Sequence, residues 1–245
     1  MRQKTLFDSD LTLEEAQELI KNGANVNEIN KEGSNPLFVV SKVEIAQLLI
    51  ENGANVNFRN LRGKTRLHMD VNLEIIQLLL KHNAYIDIQD ENGYTPLHLQ
   101  ENIDITRLLI NHDADVNSVD NENYTPLQWY IHYRSIEKIA LFLAAGADIN
   151  HLSESGTVLS LIYTKQNDIP NSNDVSKFVI ENGGIASDTD TYMHYREFFT
   201  PKQQNAFDSF LLLTNNDNDF FQMCLSYQES IKNNVKIDIK DMEIL

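Results

Sequence analysis

Cysteine is nearly absent: Cys224 is the single one in 245 residues. One thiol excludes an internal disulfide framework and a thiolate-rich zinc site, and it suits a reducing compartment. No stretch approaches the ~18 consecutive apolar residues that a membrane-spanning helix needs, and the start, MRQKTLFDSDLTLEEAQ, has no apolar h-region. The expected location is cytoplasmic, or inside another cell after delivery by a specialised secretion system, with no membrane partner. The chain also has no G-x-S-x-G, H-E-x-x-H, Walker A loop or G-x-G-x-x-G, so no enzyme and no cofactor is expected. Basic residues are missing where acidic ones are dense. Residues 83–122 carry nine acidic side chains against the single Arg107, whereas residues 1–82 carry 10 basic and 11 acidic. Half of the formal charge of -16 therefore lies in 40 residues. That sign repels phosphates and argues against nucleic acid. It favours a basic protein partner, beside the plain alternative that the acids keep the chain soluble.

What the chain does have is repetition, on top of a hydrophobic content of 42% that suffices for a substantial core. NGANVN occurs at Asn22–Asn27 and again at Asn52–Asn57, and related hexamers follow: HNAYID at His82, HDADVN at His112, AGADIN at Ala145 and the weaker NGGIAS at Asn182. The steps between copies are 30, 30, 30, 33 and 37 residues. A period in this range signals stacked supersecondary units.

Each hexamer follows a short amphipathic pattern such as VEIAQLLIE, in which Ile45, Leu48 and Leu49 share one helical face. The helix end is marked by Gly23, Gly53, Asn83, Asp113, Gly146 and Gly183, the residue types that most readily enter the left-handed conformation. An alternating stretch with Asn and Gly comes next, as in ANVNFRNLRGK, and suits an extended turn or hairpin. Then TPLH at Thr95, TPLQ at Thr125, NPLF at Asn35 and TRLH at Thr65 supply an N-cap, in three cases followed by Pro at the first helical position. Each unit thus reads hairpin, helix, helix.

The combination of T-P-L-H, L-L-x-x-G-A and D/N-V-N resembles the ankyrin repeat family. The resemblance covers residues 12–187, strongest in GYTPLHLQENIDITRLLINHDADVN and poorest in SGTVLSLIYTKQNDIPNSNDVSKFVIENGG, where an insertion around Asn167–Asn173 separates the helices. It implies an all-α repeat solenoid of stacked helix-turn-helix units with short β-hairpin or loop fingers and a C-terminal helical capping region. The usual period is about 33 residues, so several units here are shortened to 30. Thr95 to Leu108 spans 13 positions and Thr125 to Leu141 spans 16, which puts the deletion in the first helix or the turn after it. Abundant Asn and Ile with little Gly or Pro suggest an AT-rich genome and a compact bacterial or viral type.

The expected organisation is one solenoid over 1–245. An N-terminal capping half-repeat takes 1–30, opening on a lone helix with Thr12 as N-cap, Glu15 completing a capping box and Leu11 facing Ala16. Five repeats occupy 31–60, 61–90, 91–120, 121–152 and 153–187. Residues 188–245 form a divergent last repeat or cap, with Thr200 and Gln203 as a second box. Phe220, Cys224, Tyr227 and Ile231 form a stripe there, and NNVKIDIKD at Asn233–Asp241 echoes HNAYIDIQD.

DADVNSVDNENY has the alternation of a calcium loop at Asp113, Asp115 and Asn117, yet Ser118 replaces the required Gly and Tyr124 the closing Glu. The ankyrin hairpin accounts for that spacing, and no metal is expected. His68 and His98 belong to the T-P-L-H signature, where the resemblance implies an imidazole bonded within its own repeat. What remains is binding. By resemblance, ankyrin stacks recognise folded proteins through hairpin tips and the exposed face of the first helices. Mapped onto this sequence, that surface comprises Tyr94 and Tyr124 before the caps, Trp129, His132 and Tyr133 on the full-length first helix, and Asp90, Glu91, Asp120 and Glu122 as acidic tips. Aromatic side chains are frequent interface anchors. Trp129 suits either a surface anchor or core filling, whereas Tyr130 and Ile131 are expected in the core. The resulting expectation is a non-catalytic module, monomeric alone, that masks a basic protein surface, for example a toxin-neutralising immunity protein. The alternative is a host-directed effector or adaptor, or an enzyme with its activity in the C-terminal segment.

Overall fold

The computed structural model describes residues 4–69, 72–131, 135–164 and 172–233. Among these residues there are thirteen α-helices and no strand, with one isolated bridge between Ser153 and Gly156. The chain divides into two compact units, Met1–Asn121 and Glu122–Leu245, each a run of helix pairs as a helical repeat solenoid requires.

In the first unit the order is α1 (Leu13–Lys21), α2 (Pro36–Val39), α3 (Val43–Glu51), a 3-10 turn at Arg66–His68, α4 (Leu73–Lys81), α5 (Pro96–Leu99) and α6 (Ile103–Asn111). The second helix of every repeat has nine residues, whereas the first helix is a single turn of three or four. The missing three residues therefore come from the first helix and its turn. One turn does not hold itself together in water. Here it is held by Pro at the first position of α2 and α5, by caps at Asn35, Thr65 and Thr95, and by burial of Leu37, Leu67 and Leu97.

Among the described residues α1 is the first helix, and a turn precedes it. Thr5 lies 30 residues before Asn35, and residues 5–8 make the same turn: Asp8 N–H donates to Thr5 O at 3.2 Å, and Thr5 N–H donates to Asp8 Oδ2 at 2.5 Å. A hydrogen-bonded turn thus stands where the later repeats have a one-turn helix, and no Pro marks it in the sequence. The Thr12 and Glu15 box is present at α1, with Leu11 and Ala16 both buried.

The hexamer fixes repeat to repeat. Where its fourth residue is Asn or Asp, that side chain closes a local turn, as when Asn25 Oδ1 accepts from Asn27 N–H at 2.9 Å. Its last residue reaches forward. Asn27 Oδ1 accepts from Asn55 N–H at 2.8 Å while Asn27 Nδ2 donates to Gly53 O at 2.9 Å. Asn57 does the same to Tyr85 and Asn83, and Asn150 to Ile185 and Gly183. Helices end in left-handed residues at every copy, including Asn83 at φ 60° and Asp113 at φ 63°. The fingers after the first hexamers are turn-rich loops rather than paired strands, closing on one side chain and two main-chain bonds, as when Asn30 N–H donates to Ser34 O at 2.9 Å and Gly33 N–H to Asn30 O at 3.0 Å.

One-turn helices also leave carbonyls open at their C-terminal ends. The next repeat supplies donors. Buried Arg66 donates to Phe38 O and Val40 O, both at 2.5 Å, and buried Gln100 donates through Nε2 to Leu67 O at 2.7 Å and Met69 O at 3.2 Å. Burial pushes the Arg66 pKa down to about 10, which leaves it charged at neutral pH.

The second unit runs α7 (Pro126–Tyr130), α8 (Ile136–Ala144), α9 (Val158–Thr164), α10 (Ser172–Glu181), α11 (Thr189–Tyr195), a 3-10 turn at Arg196–Phe198, α12 (Pro201–Leu213) and α13 (Asp217–Lys232). Its C-terminal part is built on aromatics: Tyr192 is fully buried with Phe199, Phe207 and Phe220 rings 5.5–5.6 Å away. The Tyr192 hydroxyl donates to Asp208 Oδ1 at 2.8 Å, and Arg196 holds both Asp208 oxygens. The box at Thr200 and Gln203 is present. Phe220, Cys224 and Tyr227 form the buried stripe, while Ile231 is exposed. Burial raises the Cys224 thiol well above its ordinary pKa, so it is protonated and unreactive. The match at Asn233–Asp241 lies outside the described residues beyond its first residue, and so does most of the insertion at Asn167–Asn173.

Two stability predictions follow from these bonds. Asp87 occupies the Asn27 position and accepts from Asp115 N–H at 3.0 Å, but a carboxylate has no donor for the Asp113 carbonyl. Shielding of the carboxylate raises its pKa, opposed by the Asp115 N–H bond and aided by the Asp115 charge, although the residue as a whole stays exposed. A raised carboxyl pKa means that its stabilisation is present below the unfolded value and lost as pH rises through the folded one. At pH 7, Asp87→Asn should therefore raise stability by about 0.5–1.5 kcal/mol, read as a higher urea midpoint; an unchanged or lower midpoint contradicts the bonding scheme.

His68 gives the opposite pH sign. Its Nδ1 accepts from Thr65 N–H at 3.0 Å, so the proton sits on Nε2, which donates to Tyr94 O at 3.0 Å. Burial, opposed mainly by the Tyr94 bond, lowers its pKa. Its contribution is present above an unfolded pKa of ~6.5 and is lost as pH falls through the folded value. Gln128 fills the same place without a titratable group, accepting from Thr125 N–H at 3.1 Å through Oε1. His68→Gln should thus flatten the loss of stability between pH 7.5 and 5, measured by denaturant melts; equal acid sensitivity in both proteins would remove His68 as a cause.

Candidate functional site

The fingers are shaped by one Asn or Asp at their base. Asn30 Oδ1 accepts from Glu32 and Ser34 N–H, both at 3.0 Å, and Asn60 Oδ1 from Arg62 at 2.9 Å and Lys64 at 3.0 Å. Asp90 Oδ1 does likewise with Asn92 at 2.8 Å and Tyr94 at 3.1 Å. This corrects the expectation for two tip acids: Asp90 and Asp120 are each only 6% exposed. An Asx residue that bonds its own loop must point inward. The recurrence of Asn30, Asn60, Asp90 and Asp120 at 30-residue steps carried that signal.

In the first unit the fingers are laddered. Glu91 N–H donates to Arg62 O at 3.1 Å, Asn121 N–H to Asn92 O at 3.0 Å, and Asn121 Nδ2 to Glu91 O at 2.9 Å. The approach is close enough to need glycine: at Gly93, with φ 81°, a Cβ would lie 2.6 Å from Asn121 N. On this frame the Glu91 carboxylate is exposed, and the Tyr94 ring is half-buried with its centroid 6.0 Å from the His98 ring. Two exposed apolar side chains that periodicity did not single out stand on earlier fingers, Ile29 at 61% and Leu61 at 74%. They fall at turn positions, where a helical or strand pattern gives no signal.

In the second unit Glu122 is exposed and Tyr124 is half-buried, its hydroxyl hydrogen-bonded to Ser155 Oγ. Trp129 is half-buried, whereas Tyr130 and Ile131 are core. Tyr130 stacks on Phe142 at 5.5 Å, and the Lys138 ammonium lies 3.5 Å from its ring centre. His132 and Tyr133 lie outside the described residues. Asp115, from the calcium-like stretch, uses Oδ1 to accept from Asn117 N–H at 2.9 Å, and its own N–H binds Asp87. Those residues are committed to loop geometry. Among the described residues no group of three or more His, Cys, Asp or Glu side chains is placed to hold a metal, and no helix is long and apolar enough to cross a membrane.

This surface offers exposed carboxylates beside half-buried aromatic rings on a hydrogen-bonded frame, which is the equipment of recognition. A family model for ankyrin repeats in three copies matches residues 12–90 and again 69–153. No curated protein matches the chain. Ankyrin repeats are protein-protein interaction modules and generally serve as non-catalytic scaffolds that bind other proteins. With its caps, nine-residue second helices and left-handed helix ends in the places the motif demands, the chain belongs to the ankyrin repeat family.

Proposed function

We propose that this protein binds, and masks or inhibits, a basic surface of a partner protein, as a toxin-neutralising immunity protein does. The observation that carries the reading is the pairing of an exposed carboxylate with a half-buried tyrosine on each of two fingers, Glu91 with Tyr94 and Glu122 with Tyr124. Carboxylates raise the encounter rate with a basic partner, and partly buried rings add apolar area at low entropic cost. Trp129 joins the anchors of the second unit. Asp90 and Asp120 are left out because each is only 6% exposed.

The test starts from a partner captured from source-organism extract and then purified. Association measured from low to high salt should slow markedly, since exposed charges are screened beyond ~8 Å at physiological ionic strength. Glu91→Gln with Glu122→Gln should reduce the on-rate more than it raises the off-rate. Tyr94→Ala and Tyr124→Ala should each cost roughly 1–4 kcal/mol of binding, as interface anchors do. Salt-independent association, together with tyrosine variants that bind normally, would sink the proposal.

A further inference from the structure

We draw no further inference here: the strongest candidate, the open pocket of about 400 Å³ between the Ser153–Gly156 turn, Ser187 and the first turn of α13, carries nothing because its charge is a cluster of three acids, Glu154, Asp188 and Asp217, two of which already accept from the Thr191 and Thr189 N–H groups, and no second feature of the structure shows what would occupy it.

Discussion

A helix of one turn satisfies almost none of its own backbone polar groups, and the rest of this structure is arranged around that fact. The N–H end of the short first helix is closed by its cap, Asn35 alone in the first case, and at Thr65, Thr95 and Thr125 also by the side chain three residues on, His68, His98 or Gln128. The carbonyl ends of the elements at Pro36–Val39 and Arg66–His68 are closed from outside, by Arg66 and Gln100 of the following repeats. Shortening the helix by three residues removes nearly a full turn of ~3.6, so bonds that a longer helix makes internally become bonds between repeats. Neighbour coupling, the quantity that makes a stack of marginal units cooperative, is thereby strengthened by polar contacts.

The opposite edge obeys the same rule with another residue. The last Asn of NGANVN accepts one main-chain N–H and donates to one carbonyl in the next repeat, so only a side chain with both functions completes the pair. This is why the last position of the hexamer is Asn in four of the six copies, at Asn27, Asn57, Asn117 and Asn150. Where Asp87 replaces Asn, half of the staple is lost and a charge is placed beside Asp115.

Periodicity, caps and left-handed helix ends were legible because each is a local signal: an amphipathic second helix, a Thr-Pro start, a Gly or Asn stop. The first element of the opening repeat was not, because TLFD lacks Pro and reads as loop unless aligned at 30 residues on Asn35. The inward turn of Asp90 and Asp120 was hidden for a different reason. Composition counts an aspartate as surface charge, and only the loop geometry reveals that two N–H groups claim its oxygen. The aromatic expectation divided along burial: Tyr130 and Ile131 went to the core, while Tyr94, Tyr124 and Trp129 stayed half-buried. Arg66 stood in plain view as the residue replacing Pro in TRLH, but a departure from a motif does not say which carbonyls it will meet.

Charge counted from sequence also differs from charge presented to a partner. Of the ten basic side chains in residues 1–82, five are engaged within the first unit: Lys4 with Glu15, Lys42 with Leu11 O, Arg59 with Gly63 and Gln89 carbonyls, Lys64 with Asp90, and Arg66 with two carbonyls. Their charge persists in the long-range field, but their donors are directed inward. Glu14, Glu44, Glu74 and Asp104, by contrast, sit exposed in the first turns of the second helices, where the helix dipole favours a carboxylate and demands nothing further of it. The scaffold thus uses part of its cationic side chains to close carbonyls, while Lys21, Lys31, Arg62 and Lys81 remain exposed beside the acids. The same shortage of main-chain donors ties the repeats together and draws the engaged cationic side chains onto the scaffold.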